Sequence, residues 1–351
     1  RWIFYINLPV GVLAVLMAHT FIEDPPYLQR SARRGIDYLG LGLMIVWLAT
    51  LQIMLDKGQE EDWLAATWIR WFLAISTVAM TAFIIRELTT AQPIVNLQVL
   101  GDRNFALGTG LITIMGMTLY STTALLPLFL QTLLGYSALQ AGLAISPRGV
   151  GAMIAAAIVG RLVGVIDSRM LIAAGFGLLA FSSLTLSHLT LDVAQGNVVW
   201  ATFLNGLATP MIFIPLSTTA VATLRLEQLG TATGIYNLMR NLGGSMGISA
   251  ATTLLARRAQ VHQARLVTHL TPYDPAFRNW LESVRRGLAA RTGAVGAETR
   301  AMGVLYREVI KQATLLAFVD NFRLIGVLAL CCLPLAFLFR RVRARPGAPG
   351  H

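Results

Sequence analysis

Nine stretches of about 20 or more predominantly apolar residues run through this chain, and nothing else in the sequence limits its fold so strongly. Lipid offers the backbone no hydrogen-bond partners, so a run of that length must satisfy its own N–H and C=O groups, and a helix does so. The runs are Trp2 to Ile22, Ile36 to Leu55, Trp63 to Ile85, Phe105 to Leu130, Tyr136 to Gly160, Met170 to Thr190, Asn197 to Leu224, Thr231 to Ala256 and Leu315 to Phe339. In the third, the uncharged core covers only Trp71 to Ile85. Trp63, Trp68 and Trp71 suit an interfacial belt there, and Arg70 snorkels. Composition agrees: 13% of the 351 residues are charged, against about 25% in an ordinary soluble domain. The reading is an all-α polytopic membrane protein with nine transmembrane helices.

The net charge of +11 does not point to nucleic acid, because the basic residues sit in the short segments between apolar runs. One alternating set of segments holds Arg30, Arg33, Arg34, Arg86, Arg103, Arg161, Arg169, Arg225, Arg340, Arg341, Arg343 and Arg345. The other set of short segments holds Arg1, Lys57 and Arg70 beside the acidic run Glu60, Glu61 and Asp62. Positive residues stay inside, so the first set and the C-terminus are expected to be cytoplasmic. Arg1 then lies outside, which leads to the expectation that the chain is part of a longer protein. The long basic segment from Arg257 to Thr314 is discounted, because long loops obey the rule poorly. It reads instead as a helical excursion. The preceding helix runs on through Val261, Leu266 and Leu270 and breaks at Thr271 and Pro272. Asp274 caps a new helix starting at Pro275, and Met302, Leu305, Val309 and Leu316 carry a stripe into the last span. A solvated cap over the bundle and a docking face for a partner are equally open.

Enzyme motifs are absent or misplaced. GGSMG at Gly243 to Gly247 matches the G-x-S-x-G elbow with Ser245 at its centre, but the elbow needs a strand-turn-helix setting and this one lies in a spanning run. A membrane-embedded serine hydrolase using Ser245 is the alternative from another class, and a non-transporting membrane scaffold is a second. Small residues that let helices approach closely explain Gly243, Gly244 and Gly247 better. GFGLLA at Gly175 to Ala180 imitates a dinucleotide fingerprint inside another span. Neither Lys57 nor Lys311 follows a Gly, so no phosphate-binding loop exists. His262 and His269 lack acids or cysteines at ligand spacing, and the adjacent Cys331 and Cys332 form no metal motif. No catalytic residues, metal or cofactor are expected.

Charges within the spans carry more information. Arg148 lies about 18 Å along its helix from Gly160, and Arg240 about 14 Å past Thr231. Each costs about 2.5 to 3.5 kcal/mol to insert, so both should face the bundle interior. One reading puts them in a translocation cavity; the other has them bonding carbonyls freed by Pro147, Pro210 or Pro215. Asn237 and Asn241 flank Arg240 and Asn205 sits in a neighbouring span, as cavity wall or as interhelical glue. Asp320 and Arg323, three apart, suit a local salt bridge. No acid lies deep in a span, so a proton relay of intramembrane carboxylates belongs elsewhere.

Five stretches stand out together: RWIFYINLPVG at Arg1 to Gly11, LDKGQEEDW at Leu55 to Trp63, LPLFLQTLLGYSALQAG at Leu126 to Gly142 with SPRG at Ser146 to Gly149, GRLVGVIDSR at Gly160 to Arg169, and NLMRNLGGSMG at Asn237 to Gly247. In combination they resemble the fourteen-span drug:proton antiporters of the major facilitator superfamily, the EmrB/QacA subfamily. VHQARLVTHLTPYDPAF at Val261 to Phe277 resembles the outer helical loop of Gram-negative members. The resemblance implies the major facilitator fold, with residues 1–22 as the last span of the N-terminal half and 23–103 as a cytoplasmic linker and two extra central spans. It makes residues 104–339 the C-terminal six-helix half, including the outer loop 257–314, and 340–351 a cytoplasmic tail. Spans one to five, with the acidic coupling residues, fall outside this sequence on that mapping.

The resemblance further implies proton-coupled multidrug efflux by alternating access in a bacterial inner membrane, with the proton gradient as energy source. Substrates would be small, mostly hydrophobic compounds, and a periplasmic adaptor and outer-membrane channel are implied partners. Arg148, Asn205, Tyr236, Asn237, Arg240 and Asn241 are then expected in the cavity wall. Gly243, Gly244 and Gly247 are expected at a helix contact. The loop Gly164-Val165-Ile166-Asp167 lacks the family's Asp-Arg pair, and Asp167 with Arg161 or Arg169 is expected to serve as the cytoplasmic gate.

Overall fold

The computed structural model describes residues 5, 7–21, 37–90, 93–193, 195–268, 270, 271, 273–292 and 296–340. Arg1, Arg30, Arg33, Arg34, Arg341, Arg343, Arg345, His269, Pro272 and the tail beyond Arg340 lie outside them. The described chain is helical, in eleven α-helices: α1 Asn7–Phe21, α2 Tyr38–Lys57, α3 Thr67–Thr89, α4 Arg103–Thr132, α5 Ala138–Ile145, α6 Pro147–Leu162, α7 Ser168–Leu186, α8 Gln195–Val221, α9 Leu229–Thr268, α10 Pro275–Thr292 and α11 Ala297–Leu335. Seven stretches of helix are long and apolar enough to cross a membrane: α2, α3, α4, α5 with α6, α7, α8, and α11 with the turn after it.

The expected count of nine included two more. The described part of the first, α1, is only 15 residues long. The second is α9, whose Gly, Asn, Ser and Thr content and Arg240 dilute its apolar character. Tyr136 to Gly160, read as one run, is two helices meeting at Ser146 and Pro147. Proline fits the first position of α6 because its missing N–H is unpaired there anyway. The run from Trp63 divides as well: Asp62 and Trp63 take left-handed backbone angles (φ 52° and 53°), so α3 starts only at Thr67.

Polar side chains placed at the helix ends hold this architecture together. Asp102 caps α4 by accepting from the Phe105 N–H at 2.9 Å, and it also accepts from Thr223 Oγ1 at 2.8 Å. Ser137 and Gln140 form a reciprocal capping box on α5. Asn104, at the start of α4, exchanges two hydrogen bonds with the backbone of Arg340 just past α11, so the first and last helices of the 104–340 unit are joined.

Two apolar clusters fill that unit. One gathers Phe105, Ile112, Met115, Phe176, Ile212, Leu216 and Phe339. The other, toward the opposite end of the helices, gathers Phe129, Leu130, Leu186, Phe318 and Phe322, with Phe129 edge-on to Phe318 at 5.4 Å. In lipid these contacts stabilise by dispersion and close fit, since the tails outside are equally apolar. Large apolar side chains such as Leu13, Val15, Ile45 and Val78 face outward, as on a lipid-facing helix surface.

α9 and α11 are the longest of the described helices. With 40 and 39 residues they are about 60 Å long, twice the roughly 30 Å hydrocarbon core. α9 continues through Val261 and Leu266, α10 starts at Pro275, and the stripe from Met302 to Leu316 lies on α11, so the long segment is a helical excursion.

Candidate substrate cavity wall

Three glycines expected at a helix contact set the spacing of the wall. A Cβ on Gly243 would come 2.2 Å from the Thr113 carbonyl oxygen, one on Gly247 2.5 Å from that of Met117, and one on Gly244 2.6 Å from the Tyr120 ring. From the other side, a Cβ on Gly116 would meet the Arg240 carbonyl oxygen at 2.3 Å. α4 and α9 thus touch backbone to backbone. Ser245 lies in the middle of α9, a continuous helix, so the strand-turn-helix elbow that a serine hydrolase needs is not formed around it.

A similar approach joins α6 to α8. A Cβ on Gly206 would meet the backbone of Arg148, its carbonyl oxygen at 2.1 Å. That closeness turns the Arg148 side chain toward α4, where Nη1 donates to Thr123 Oγ1 at 2.7 Å. This bond goes to a side chain and not to a carbonyl released by proline. Arg148, Thr123 and Asn205 line one narrow cleft with Leu126, Pro127, Ile145, Leu186 and Thr202. Asn205 is 2% exposed, and neither its Oδ1 nor its Nδ2 has a hydrogen-bond partner among the described residues.

Arg240 occupies the other α4–α8 level. Its guanidinium carbon lies 5.4 Å from the centre of the Phe213 ring on α8, a cation–π contact. One turn earlier, Tyr236 is 4% exposed, and its hydroxyl, like Arg240 Nε, is buried without a hydrogen-bond partner among the described residues. Asn237 donates to the Thr233 carbonyl of its own helix at 3.0 Å. Asn241 is exposed. The structure therefore brings Arg148 to Asn205 and Arg240 to Tyr236, while Asn237 is half-buried and bonded within α9 and Asn241 is exposed. Thr123 and Phe213 escaped the sequence reading, since a linear sequence does not show which residue faces an arginine across a helix pair.

At the α6–α7 junction, Gly164 takes φ +99°, which glycine tolerates. Asp167 then caps α7, accepting from the Arg169 N–H at 3.0 Å. Arg161 is in the last turn of α6.

Asp320 corrects an expectation. Its partner is not Arg323, which is exposed, but His262 of α9 at 2.9 Å, with Arg258 at 3.7 Å. α9 and α11 run side by side, and that presents two α9 side chains to the carboxylate more directly than its own helix does. His262 is thus engaged with an acid, and no cluster able to hold a metal occurs among the described residues.

Residues 1–248 match the model of the Major Facilitator Superfamily. Over its whole length the chain is 32% identical to the fatty acid resistance protein FarB of Neisseria gonorrhoeae, covering 67% of it. It is 36% identical over 276 residues, 78% of this chain and 53% of the relative, to the multidrug export protein EmrB of Escherichia coli K12. It is 28% identical to the colistin resistance protein EmrB of Acinetobacter baumannii, over 93% of this chain and 64% of that one. The chain thus spans between about half and two thirds of the length of these relatives.

Proposed function

This chain belongs to the major facilitator superfamily, and we propose that it serves proton-coupled export of small, mostly apolar compounds by alternating access. The observation that carries this reading is the α4–α8 wall, where guanidinium, amide and phenol groups lie inside an apolar bundle without being used up by protein partners. Buried polar atoms are nearly always hydrogen-bonded, and a substrate passage is a physical reason for leaving several of them free. Relatives named for export and resistance support the same direction.

Proton exchange fits the sequence in a restricted way. α4 to α9 contain no Asp or Glu, so the acid that carries the proton is assigned to another segment. Arg161, Asp167 and Arg169 form the gate at the cytoplasmic end, with the C-terminus on that side of a bacterial inner membrane. The excursion of α9, α10 and α11 projects on the opposite side, where exposed Tyr273, Met302 and Tyr306 form the surface we assign to a periplasmic adaptor.

The test uses the complete protein in everted vesicles. Export of a fluorescent apolar dye should need an imposed pH gradient and vanish when an ionophore collapses it. Arg148→Ala and Arg240→Ala should each slow export about tenfold or more, as loss of a charged contact worth about 1.5 to 3 kcal/mol implies. Unchanged export in both variants would overturn the reading.

A further inference from the structure

The open end of the α2–α3 hairpin closes on two buried carboxyl groups and one guanidinium. Asp37, just before α2, has a side chain 6% exposed and accepts two hydrogen bonds from Arg86 of α3, at 3.0 Å from Nε and 3.3 Å from Nη2. Glu87, the next residue, is 4% exposed. Its Oε2 accepts from the Val95 N–H at 3.0 Å, while its Oε1 is buried without a hydrogen-bond partner among the described residues. That oxygen is aimed at the cluster. The point where a Cβ on Gly40 would sit is 3.1 Å from Glu87 Oε1 and 3.0 Å from Asp37 Oδ2. The bare glycine lets both carboxyl groups come against α2 at one place.

Charge does not balance there when both acids are ionised. Among the described residues, Asp37 is the charged group that acts on Glu87 from α2, and Arg86 the one that acts from α3. Pro93, Ile94, Val95 and Asn96, on the side of the Val95 bond, carry no charge. The single guanidinium gives its hydrogen bonds to Asp37. A carboxylate withdrawn from water with one oxygen unpaired is costly, and a second like charge beside the first adds to that cost. One proton shared out to the pair makes the set of three groups neutral. Asp37 is the poorer holder, since its oxygens already accept from Arg86 and from the Gly40 N–H. Glu87 Oε1 accepts nothing.

We infer that Glu87 is a proton-binding site, whose Oε1 keeps its proton at a pH where an exposed glutamate has lost its own. The same carboxyl holds the Val95 N–H, two positions before the turn at Leu97–Gly101 that leads into α4. Loss of the proton leaves two carboxylates to one guanidinium and loosens the hold on that segment. The site goes beyond the export reading and does not depend on it, because it is tested on the chain itself.

The test uses the full chain purified in nanodiscs. Infrared spectra at about pH 6, above the ordinary glutamate value of about 4.3, should show the carbonyl stretch of a neutral carboxyl. Glu87→Gln should remove it, and raising the pH should remove it from the wild type. Thermal melting gives the second readout. Gln keeps an acceptor for Val95 and has no proton to lose. A folded state that holds more protons than the unfolded one loses stability as pH rises. From about pH 4 upward the wild type should therefore fall behind Glu87→Gln, by about 2 °C or more. Amide exchange over residues 94–96, taken as the ratio of wild type to variant at each pH so that the intrinsic rate cancels, should rise about threefold or more over the same interval. Should Glu87→Gln fail to fold, isotope-labelled glutamate in the wild type assigns the stretch, because no other described glutamate is buried. Absence of a neutral glutamate stretch, or a wild type that gains on Glu87→Gln as pH rises, overturns the site and leaves Glu87 an ionised anchor for Val95. A constant exchange ratio overturns the link to α4.

Discussion

The indole Nε1–H of Trp63 donates to Thr253 Oγ1 at 3.1 Å, across 190 positions of sequence. This bond ties the turn between α2 and α3 to the middle of α9. The backbone at Asp62 and Trp63 is left-handed, and the Trp63 ring is directed at α9, whereas Trp71 is 66% exposed.

A double-mutant cycle of Trp63→Phe and Thr253→Val, read by unfolding in detergent, should therefore show a coupling of about 0.5 to 1.5 kcal/mol, the net worth of one hydrogen bond. Strictly additive losses would mean that the contact does not hold the hairpin.

Close approach of α4 and α9 sets a second expectation. Gly243→Ala and Gly247→Ala each push a methyl group against a carbonyl of α4 and should cost about 1 to 3 kcal/mol. Gly142→Ala on α5 meets nothing within 4 Å. It should be neutral or gain about 0.5 to 1 kcal/mol, since alanine orders a helix at lower entropic cost. Thermal melting of the three variants side by side separates the two cases.

Acid should loosen the base of the α2–α3 hairpin through Asp37. Its carboxylate accepts two hydrogen bonds from Arg86, at 3.0 and 3.3 Å, and one from the Gly40 N–H at 3.1 Å. The hydrogen bonds from Arg86 first, then that from Gly40, hold its pKa below the ordinary carboxylate value of 3.8. A lowered folded pKa stabilises above the unfolded value, and that contribution is lost as pH falls through the folded one. The melting temperature of the wild type should thus exceed that of Asp37→Asn near neutral pH, with the gap closing below about pH 4. A gap independent of pH would refute the linkage.

The carboxylate of Asp320 makes a fourth expectation. Asp320→Ala strips both Arg258 and His262 of their acid and should lower local stability by about 1 to 2 kcal/mol. Faster amide hydrogen exchange over residues 258–268 would register it. Arg323→Ala should leave that exchange unchanged, and equal effects from both variants would restore the local Asp320–Arg323 pair.

Much of this molecule was legible in order along the chain, because a lipid environment forces each span to satisfy its own backbone. That requirement is local, so run length and charge alone located α2, α3, α4, α7, α8 and the joint stretch of α5 and α6 to within a few residues, while for α11 they gave the C-terminal part from Leu315 and not its start at Ala297; Asp274 and Pro275 marked the start of α10. The same logic placed Arg148 and Arg240 in the interior, since a guanidinium facing lipid is too costly. What each arginine meets is decided between helices. Thr123, Phe213 and Asn205 are brought to the arginines by the glycine contacts that set how closely α4, α6, α8 and α9 approach. The turn at Trp63 and the choice of His262 over Arg323 by Asp320 were settled in the same way. Such pairings depend on interhelical distance and rotation, quantities that arise only when side chains compete for the same space in three dimensions.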